Sequence, residues 1–465
     1  MKKGIILFIL VSLAISTSAR PHPQQPSGGG YEEFAEDSVD IDDRNTRENP
    51  VFDYDDDDID IPVPSFINTS ANRIILNGAD WGALRRAIAM SDRHPVSIVN
   101  IGDSHIQADI GTGTVRELLQ YDYGNAGRGI ISPLKMSGTN EPQDYVFTSP
   151  NGWTADKLMS ARWPHVMGFT GAAIRLTHEN GQLTIGTSER DDYNPFWSVT
   201  IFHNGKMNVD RVTDASGRDV HFRAIPSRDY TQLLFASAET RVTVHFTTSG
   251  DIVVFGASLS GERPGVFYHA IGNNGATYAT YNKIGNVGSG IAPLKPSLVI
   301  ISLGTNEAFG HLDTDGFYRN IDRLVRNIRH ANPGVQILLT TPMECDRSVY
   351  TSVKKKVKVP VRSRRGRRGR RSSRTVTKTV TRRVRSYAVN SNIAPLREAI
   401  LRYGRDNGVA VYDFYDVAGG KGAASRWISA GLFSRDRVHH SYKGYHLQGR
   451  LLYEALVGEF RDMRQ

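Results

Sequence analysis

Long apolar runs alternate with amphipathic helical patterns at both ends of this 465-residue chain, and no other feature constrains its fold as strongly. Near the start, the helical pattern ADWGALRRAIAMSDRH precedes the strand pattern VSIVNI. From residue 297 onwards, the strand patterns SLVIISLG, VQILLTTP and VAVYDFYD alternate with helical patterns that begin at residues 315, 392 and 446. Continuous apolar strands separated by helices are typical of a parallel sheet covered by helices on both faces. We therefore expect an α/β architecture.

A different pattern separates these two halves. Residues 144–262 contain short runs in which apolar and polar residues alternate, among them GQLTIGTS, WSVTIFHNG and TRVTVHFTT. Glycine-containing turn sequences follow several of these runs. Such spacing is typical of an antiparallel β-sandwich or jelly roll. We predict an all-β module that is inserted into the α/β domain.

The N-terminal segment has the pattern of an export signal followed by a linker. Two lysines, a short apolar run and the small residues Thr17-Ser18-Ala19 predict a signal peptide over residues 1–19. The apolar run is short for a membrane span. Residues 20–64 are poor in apolar side chains, and Glu32–Asp60 holds 14 acidic residues against two arginines. This composition predicts a disordered acidic linker.

The single cysteine, Cys345, excludes an intramolecular disulfide. It follows the apolar run VQILLTTPME, which favours a half-buried structural thiol over a nucleophile. An exported chain without disulfides fits a bacterial periplasm or cell envelope.

Positive charge is concentrated in one segment, Lys354–Arg385, which holds 16 Lys/Arg and no acidic residue. Removing these 16 charges from the formal net charge of +9 leaves −7 for the rest, so the body of the protein is not basic. The alternating flank TVTKTVTRRV favours an extended β-hairpin. The insert could bind an anionic cell-envelope polymer or lipid, pair with the acidic N-terminal segment, or have no dedicated partner. Nucleic acid is disfavoured for an exported protein.

Four polar clusters lie at or near strand ends in the α/β part: GDSH at 102–105, GNNGAT at 272–277, GTNE at 304–307 and DRVHHS at 436–441. In a doubly wound sheet, ligands bind beyond the carboxyl ends of the strands. Together the clusters provide a serine, a glycine, an asparagine, a histidine and an acid three residues before that histidine. These are the groups that serine-based hydrolysis uses. Ser104 as a helix cap alone would leave the other three clusters unexplained.

The four clusters, in this order, resemble the signature blocks of the SGNH (GDSL-like) hydrolase superfamily. The segments GDSHIQAD, GNNGATY, LGTNEAF and DRVHHSYKGY are especially similar to those of bacterial envelope members that remove O-acetyl groups from peptidoglycan. The resemblance in sequence covers roughly residues 70–140 and 265–460. The predicted β-module resembles that of the family members in architecture only. It implies a flavodoxin-like three-layer α/β/α domain with a parallel sheet.

Carried over residue by residue, the resemblance implies that Ser104 is the nucleophile and His439 the general base. Asp436 would orient the imidazole of His439. The backbone N–H groups of Ser104 and Gly275, with the side-chain amide of Asn306, would form the oxyanion hole. The resemblance implies neither a metal nor an organic cofactor.

Several neighbouring residues compete for these roles. His440 competes with His439, and the Asp-x-x-His spacing of the family favours His439, which leaves His440 as a substrate contact. Asn273 and Asn274 compete with Gly275. We expect Asp103 and His105 to be structural, and Glu307 either to contact substrate or to begin a helix. Among the aromatic residues, we expect Trp153 and Trp163 to contact substrate. Trp197 and Phe202 are expected in the core rather than on a sugar-binding surface.

The predicted organisation is a signal peptide (1–19), an acidic linker (20–64), a first hydrolase part (65–143), the inserted β-module (144–262) and a second hydrolase part (263–465) with the basic insert 354–385. We expect an exported serine esterase that removes O-acetyl groups from a glycan, with peptidoglycan favoured. A lipase, a thioesterase or a plant-polysaccharide acetylesterase on the same fold is the first alternative. A glycan-binding envelope protein with residual catalysis is the second.

Overall fold

The computed structural model of the protein describes residues 61–150, 152–188, 194–362 and 373–461. The predicted signal peptide, the linker as far as residue 60 and the centre of the basic insert (363–372) lie outside the described residues. Predictions about those segments therefore stay predictions.

The described residues form strands and helices throughout. The strands are β1 (Ile74–Ile75), β2 (Val96–Gly102), β3 (Gly129–Ile131), β4 (Tyr145–Thr148), β5 (Trp153–Lys157), β6 (Ala172–Leu176), β7 (Asn180–Thr187), β8 (Phe196–Asn204), β9 (Asn208–Asp214), β10 (Phe222–Pro226), β11 (Tyr230–Glu239), β12 (Arg241–Thr247), β13 (Val253–Ser260), β14 (Val266–Gly272), β15 (Pro296–Ser302), β16 (Gln336–Thr340), β17 (Asp346–Arg362), β18 (Ser373–Val389) and β19 (Ala410–Tyr412). The α-helices are α1 (Gly82–Ala89), α2 (Ser104–Gln107), α3 (Ile110–Tyr123), α4 (Tyr278–Ile284), α5 (Val287–Ile291), α6 (Thr314–Ala331), α7 (Ile393–Asn407), α8 (Phe414–Val417), α9 (Ala423–Ser429) and α10 (Tyr442–Arg461).

A six-stranded sheet in the order β1-β19-β16-β15-β2-β14 forms the centre of the α/β part. Five of its strands are parallel, and β1 pairs antiparallel with β19 at one edge. All seven residues of β2 are buried, as expected for a strand covered on both faces. In chain order the parallel strands occupy positions 2-1-3-4-5, the flavodoxin-like order. The predicted α/β fold with a parallel sheet is confirmed.

The longer helices pack in two groups, as the outer layers of a three-layer fold require. Helix α10 packs on α1 and α3, while α6 packs on α4, α5 and α7. Helix α6 shows why these segments are helical: Asp313 accepts a hydrogen bond from the N–H of Gly316, and the apolar side chains recur on one face. None of the described helices combines the length and the apolar composition that crossing a lipid bilayer requires.

Two antiparallel sheets form between β2 and β14. The larger has the order β10-β11-β8-β13-β6-β5 with β3 beside β13, and the smaller has the order β4-β7-β12-β9. One hydrophobic cluster contains side chains from both sheets, including Phe147 and Val244 from the smaller and Ile201 and Val254 from the larger. The predicted boundary at residue 144 is too late for this part, because β3 precedes it and pairs with β13.

The basic insert lies in a two-stranded antiparallel sheet. Strands β17 and β18 have 17 residues each and pair without interruption from Asp346 opposite Val389 to Arg362 opposite Ser373. The hairpin is longer at its base than the predicted insert 354–385, because pairing extends to Asp346 and Val389, beyond the run of cations from which the insert was predicted.

A buried cluster of ion pairs joins the start of α3 to the first strands of the antiparallel part. Arg128, which is 1% exposed, binds Asp109 at 2.5 Å and Asp144 at 2.9 Å. Arg116 binds the same two carboxylates at 3.2 and 3.0 Å. Two guanidinium groups therefore neutralise two carboxylates, of which Asp109 is buried and Asp144 is 27% exposed.

Replacing Arg128 tests this cluster. We expect Arg128→Met to lower the free energy of unfolding by about 3–5 kcal/mol, because removing one partner leaves buried carboxylates without sufficient compensation. Arg211→Met is the matched control, since Arg211 and Asp219 are 55% and 72% exposed and such pairs contribute less than about 1 kcal/mol. Urea unfolding followed by circular dichroism measures both. Equal losses in the two variants would contradict this account of the cluster.

Candidate active site

Ser104 lies where β2 gives way to the short helix α2. Strand β2 ends at Gly102, and the carboxylate of Asp103 accepts a hydrogen bond from the N–H of His105 at 3.0 Å. Gly102 has no room for a side chain, because a Cβ there would stand 2.8 Å from the carbonyl oxygen of Ser302. The turn therefore holds Ser104 at the carboxyl end of the central strand.

Three side chains from distant parts of the sequence form a continuous hydrogen-bonded chain. The Oγ of Ser104 lies 2.7 Å from Nε2 of His439, and Nδ1 of His439 lies 2.6 Å from Oδ2 of Asp436. The other carboxylate oxygen of Asp436 accepts hydrogen bonds from Ser434 Oγ (2.7 Å) and from the N–H groups of Val438 (2.9 Å) and His439 (3.0 Å).

These contacts assign the protonation states. Burial raises the pKa of Asp436, but hydrogen bonds from His439, Val438 and Ser434 and the charge of His439 together hold this pKa well below its usual range. An ionised carboxylate only accepts hydrogen bonds, so Nδ1 of His439 carries a proton, and in the neutral ring Nε2 faces Ser104 with its lone pair. This is the arrangement in which a histidine removes a proton from a serine hydroxyl.

The loop that carries Asp436 and His439 folds back on itself. The N–H of Ser434 donates to the carbonyl of His439 at 2.8 Å, and Arg437 has a left-handed backbone with φ of 63°. Arg437 also contacts Asp346 at 3.2 Å, at the base of the hairpin β17–β18. The tight turn between the acid and the base is therefore held from outside by the hairpin.

Asn306 lies between the loops that carry Ser104 and Gly275. Its side-chain amide donates to the carbonyl of Ala276 at 3.0 Å and to Oδ2 of Asp103 at 3.3 Å. Gly275 has a φ of 77°, which favours glycine. Among the hydrogen bonds of the described residues, none uses the backbone N–H of Ser104 or of Gly275. Two N–H groups and one amide thus lie on the loops that follow the neighbouring strands β2, β14 and β15, and such groups can form an oxyanion hole.

The backbone distinguishes Gly275 from the two asparagines that compete with it. The N–H of Asn273 donates to the carbonyl of Gly102 at 3.1 Å, and the N–H of Asn274 donates to Oε1 of Gln107 at 2.6 Å. The side chain of Asn273 is also engaged, with the carbonyl of Thr170 at 3.0 Å. Both asparagines therefore fasten the loop, and Gly275 is the residue of the three with an uncommitted N–H.

Gln107 is a supporting residue that sequence reasoning missed. Its amide nitrogen donates to the carbonyl of Asn140 at 2.8 Å while its oxygen holds Asn274, so it joins the serine helix to the glycine loop. The available signal was its position in the GDSHIQAD block, three residues after Ser104 on the same short helix.

Two acids beside the site have raised pKa values. Burial raises the pKa of Asp103 to about 6, although the hydrogen bond from the N–H of His105 opposes this rise. Burial likewise raises the pKa of Glu307 to about 7. Glu307 begins a short 3-10 helix, and its Oε1 accepts from the N–H of Tyr278 at 2.8 Å, at the start of α4. Of the two expected roles, this geometry supports the structural one.

The expected substrate contact of His440 needs correction. The side chain is 4% exposed, and its ring lies 5.0 Å from those of Trp427 and Tyr445 and 5.2 Å from that of Phe433. Burial lowers the pKa of His440 to about 3, so this ring is neutral. Aromatic packing of this kind makes His440 part of the core behind His439.

His105 and Cys345 also lie on this inner side. Burial lowers the pKa of His105, whose Nδ1 lies 3.2 Å from the hydroxyl of Tyr445, so a structural role fits it. Cys345 is 2% exposed, more deeply buried than expected, and burial raises the pKa of its thiol. Both side chains line, with His440, a cavity of about 70 Å³ that Ser104, Asp436 and His439 do not border.

The tryptophans predicted to contact substrate are half-buried. Trp153 donates to Ser149 Oγ at 2.7 Å and packs against the core of the antiparallel sheets. Trp163 packs against the core of the α/β part. Trp197 is also half-buried, and Phe202 is buried with its ring 5.2 Å from that of Phe169. Substrate contacts of Trp153 and Trp163 stay predictions.

Comparison with known proteins agrees with this geometry. Residues 247–447 match the family model of the GDSL-like Lipase/Acylhydrolase family. This stretch contains Gly275, Asn306, Asp436 and His439, whereas Ser104 precedes it, upstream of the antiparallel strands. No curated protein matches the sequence.

Solved structures are similar as well. A peptidoglycan O-acetylesterase shares 21% identity and a TM-score of 0.62 over 83% of this chain and 99% of that chain, which shows a common fold. A lipase/acylhydrolase from Enterococcus faecalis shares 20% identity over 42% of this chain and 77% of that chain, with a TM-score of 0.27. A family two carbohydrate esterase from Cellvibrio japonicus shares 10% identity over 71% of this chain and 97% of that chain, with a TM-score of 0.26. The last two likenesses are too weak to support an argument.

Replacing Asp436 tests the orientation of the base. We expect Asp436→Asn to lower kcat on a soluble acetyl ester by about 10⁴-fold, because an amide does not hold the Nδ1–H tautomer of His439. Asp315→Asn is the control, since the carboxylate of Asp315 is 73% exposed on helix α6. The kcat of this variant should stay within about twofold of that of the unaltered protein. Undiminished turnover in Asp436→Asn would contradict the assigned role.

A double-mutant cycle tests whether Asp103 positions Asn306. Asp103→Asn turns one hydrogen-bond acceptor into a donor, so we expect kcat to fall by about 10–100-fold, with KM less affected. Asn306→Ala should lower kcat by about 10²–10³-fold. Because Asp103 acts through Asn306, the double variant should be little slower than Asn306→Ala alone. Losses that simply multiply would show that Asp103 acts independently of Asn306.

Proposed function

We propose that this chain is an exported serine esterase that removes O-acetyl groups from a glycan, with peptidoglycan as the favoured substrate. The match of residues 247–447 to the GDSL-like Lipase/Acylhydrolase family supports the reaction class. The observation that carries this proposal is the contact chain from Ser104 through His439 to Asp436. The grouping of Asn306 with the loops of Ser104 and Gly275 supports it further.

The geometry supports a two-step mechanism. Ser104 Oγ attacks the carbonyl carbon of the ester while Nε2 of His439 takes the hydroxyl proton. Asp436 stabilises the resulting imidazolium. The oxyanion of the tetrahedral intermediate accepts hydrogen bonds from the N–H groups of Ser104 and Gly275. The amide of Asn306 joins them by exchanging its 3.3 Å contact with Asp103 for the oxyanion.

The intermediate then collapses and breaks the bond to the sugar oxygen, which leaves as an alcohol with the proton from His439. An acetyl group remains on Ser104. Water attacks this acetyl-serine with His439 again as general base, and acetate leaves as the serine recovers its proton.

A recessed nucleophile favours a small acyl group. Ser104 is 6% exposed and His439 is 3% exposed. Met159 covers the oxyanion loop, because a Cβ on Gly275 would lie 3.5 Å from its terminal methyl group. An acetyl group needs little space at such a site, whereas a long acyl chain needs an extended apolar groove. These contacts support an acetylesterase over a lipase.

Support for a glycan substrate comes from two sides. The solved structure with the TM-score of 0.62 is that of a peptidoglycan O-acetylesterase. In this chain, residues of the antiparallel region reach the site, since Met159 covers Gly275 and the carbonyl of Thr170 holds Asn273. A polymer that lies across this region would therefore present an acetyl group to Ser104. The signal-like pattern of residues 1–19 supports export to the compartment of that polymer.

Acetate release from defined polymers tests the proposal. The chain from residue 20 onwards should release acetate from O-acetylated peptidoglycan faster than from acetylxylan, and should prefer short acyl esters to long ones. Ser104→Ala should lose this activity by at least about 10⁴-fold, because it lacks the nucleophile. Equal activity on acetylxylan would contradict the peptidoglycan assignment, and binding without acetate release would favour a glycan-binding protein.

A further inference from the structure

The hairpin β17–β18 is attached to the active-site loop, and among the residues that the structure describes it pairs with no third strand. The N–H of Asp346 donates to the carbonyl of Arg437 at 3.0 Å, and the guanidinium of Arg437 stacks on Tyr387 at 4.3 Å. Beyond this base, the two strands form a sheet of their own among the described residues. At about 3.4 Å per residue, 17 paired residues extend about 58 Å. The reaction does not need such a long element.

The pairing register places several exposed valines on one face of the hairpin. Val349 and Val353 alternate along β17, and Val384 opposite Thr351 lies on their face of the hairpin. These valines are 36%, 49% and 42% exposed. An isolated two-stranded sheet has no second layer that would bury this apolar stripe.

Cationic positions lie on both faces, since the register also pairs Lys355 with Val380 on the face of the valines. Lys354, Lys356 and Lys358 are exposed at the alternate positions of β17, and Arg385 on β18 lies on the same face. The valine–cation alternation continues in the sequence KVKVPVR and TVTKTVTRRVR. The segment 354–385 has 16 positive charges and no acidic residue to neutralise them. The hairpin is therefore strongly cationic and exposes valines on one of its faces.

These two properties together select one kind of partner. A dissolved polyanion would neutralise the lysines and leave the valines in water. The surface of an anionic bilayer accepts both, since phosphate groups attract the cations and the acyl boundary takes up apolar side chains. We propose that the hairpin β17–β18 docks on the surface of a membrane that contains anionic lipid.

Docking would place the esterase close to that membrane. The hairpin base contacts Arg437, which lies on the same loop as Asp436 and His439. The active site would thus work on polymer near the bilayer surface. This inference does not depend on the acyl group or on the glycan, so it stands or fails separately from the proposed function.

Vesicle flotation with the chain from residue 20 onwards tests the proposal. The protein should bind vesicles of phosphatidylglycerol and phosphatidylcholine and should not bind vesicles of phosphatidylcholine alone. The triple variant Lys354→Ser, Lys356→Ser, Lys358→Ser should bind about 100-fold more weakly, as expected for the loss of three interfacial cations. The triple variant Arg218→Ser, Arg228→Ser, Arg326→Ser is the matched control, because those cations are 82%, 94% and 78% exposed elsewhere, and it should bind like the unaltered protein.

A second triple variant separates lipid from other polyanions. Val349→Ser, Val353→Ser, Val384→Ser keeps every charge, and we expect it to lose at least about tenfold in vesicle binding. All variants should keep full activity on a soluble acetyl ester, which reports that they fold. Vesicle binding that is insensitive to the valines, with tighter binding to soluble polyphosphate, would overturn the proposal in favour of a polyanion-binding arm. No binding of the unaltered protein to anionic vesicles would also overturn it.

Discussion

Parallel pairing of β2 with both β14 and β15 determines where the parts of the site lie. The chain order reverses at β2, so the carboxyl ends of three neighbouring strands open towards one crevice. Ser104 follows β2, Gly275 follows β14 and Asn306 follows β15. The nucleophile and the oxyanion groups therefore come together through sheet topology, and the side chains of Gln107 and Asp103 adjust their final positions.

The base and its acid are held by a different constraint. Asp436 and His439 lie on a loop that follows no strand of the parallel sheet, so hydrogen bonds within the loop must fix them. One oxygen of Asp436 accepts three donors while the other holds His439, so the carboxylate has little freedom. The left-handed Arg437 between them is tied to the hairpin base. The hairpin β17–β18, which extends far from the site, is thus joined to the catalytic loop itself.

Local patterns of sequence predicted the parts of the fold that depend on local chemistry. The run VSIVNI and the helical pattern of α6 specify buried elements by themselves. Three of the four polar clusters follow strands as expected, whereas DRVHHS follows the helix α9. Contacts between distant residues were beyond such reasoning. Strand β3 joins the antiparallel sheet through β13, and His440 enters the core because aromatic rings from α9 and α10 enclose it. Neither the pairing of β3 nor the burial of His440 can be predicted from the short stretch of sequence around it.

In the proposed mechanism, Ser104 carries the acyl group during turnover. Rapid quenching of the protein with an excess of a soluble acetyl ester, followed by peptide mass spectrometry, measures this directly. We expect one acetyl group on the peptide that contains Ser104. The label should disappear as the ester is consumed and should not form in His439→Ala. Turnover without a labelled Ser104 peptide, or an acetyl group that accumulates on another residue at the rate of turnover, would contradict this mechanism.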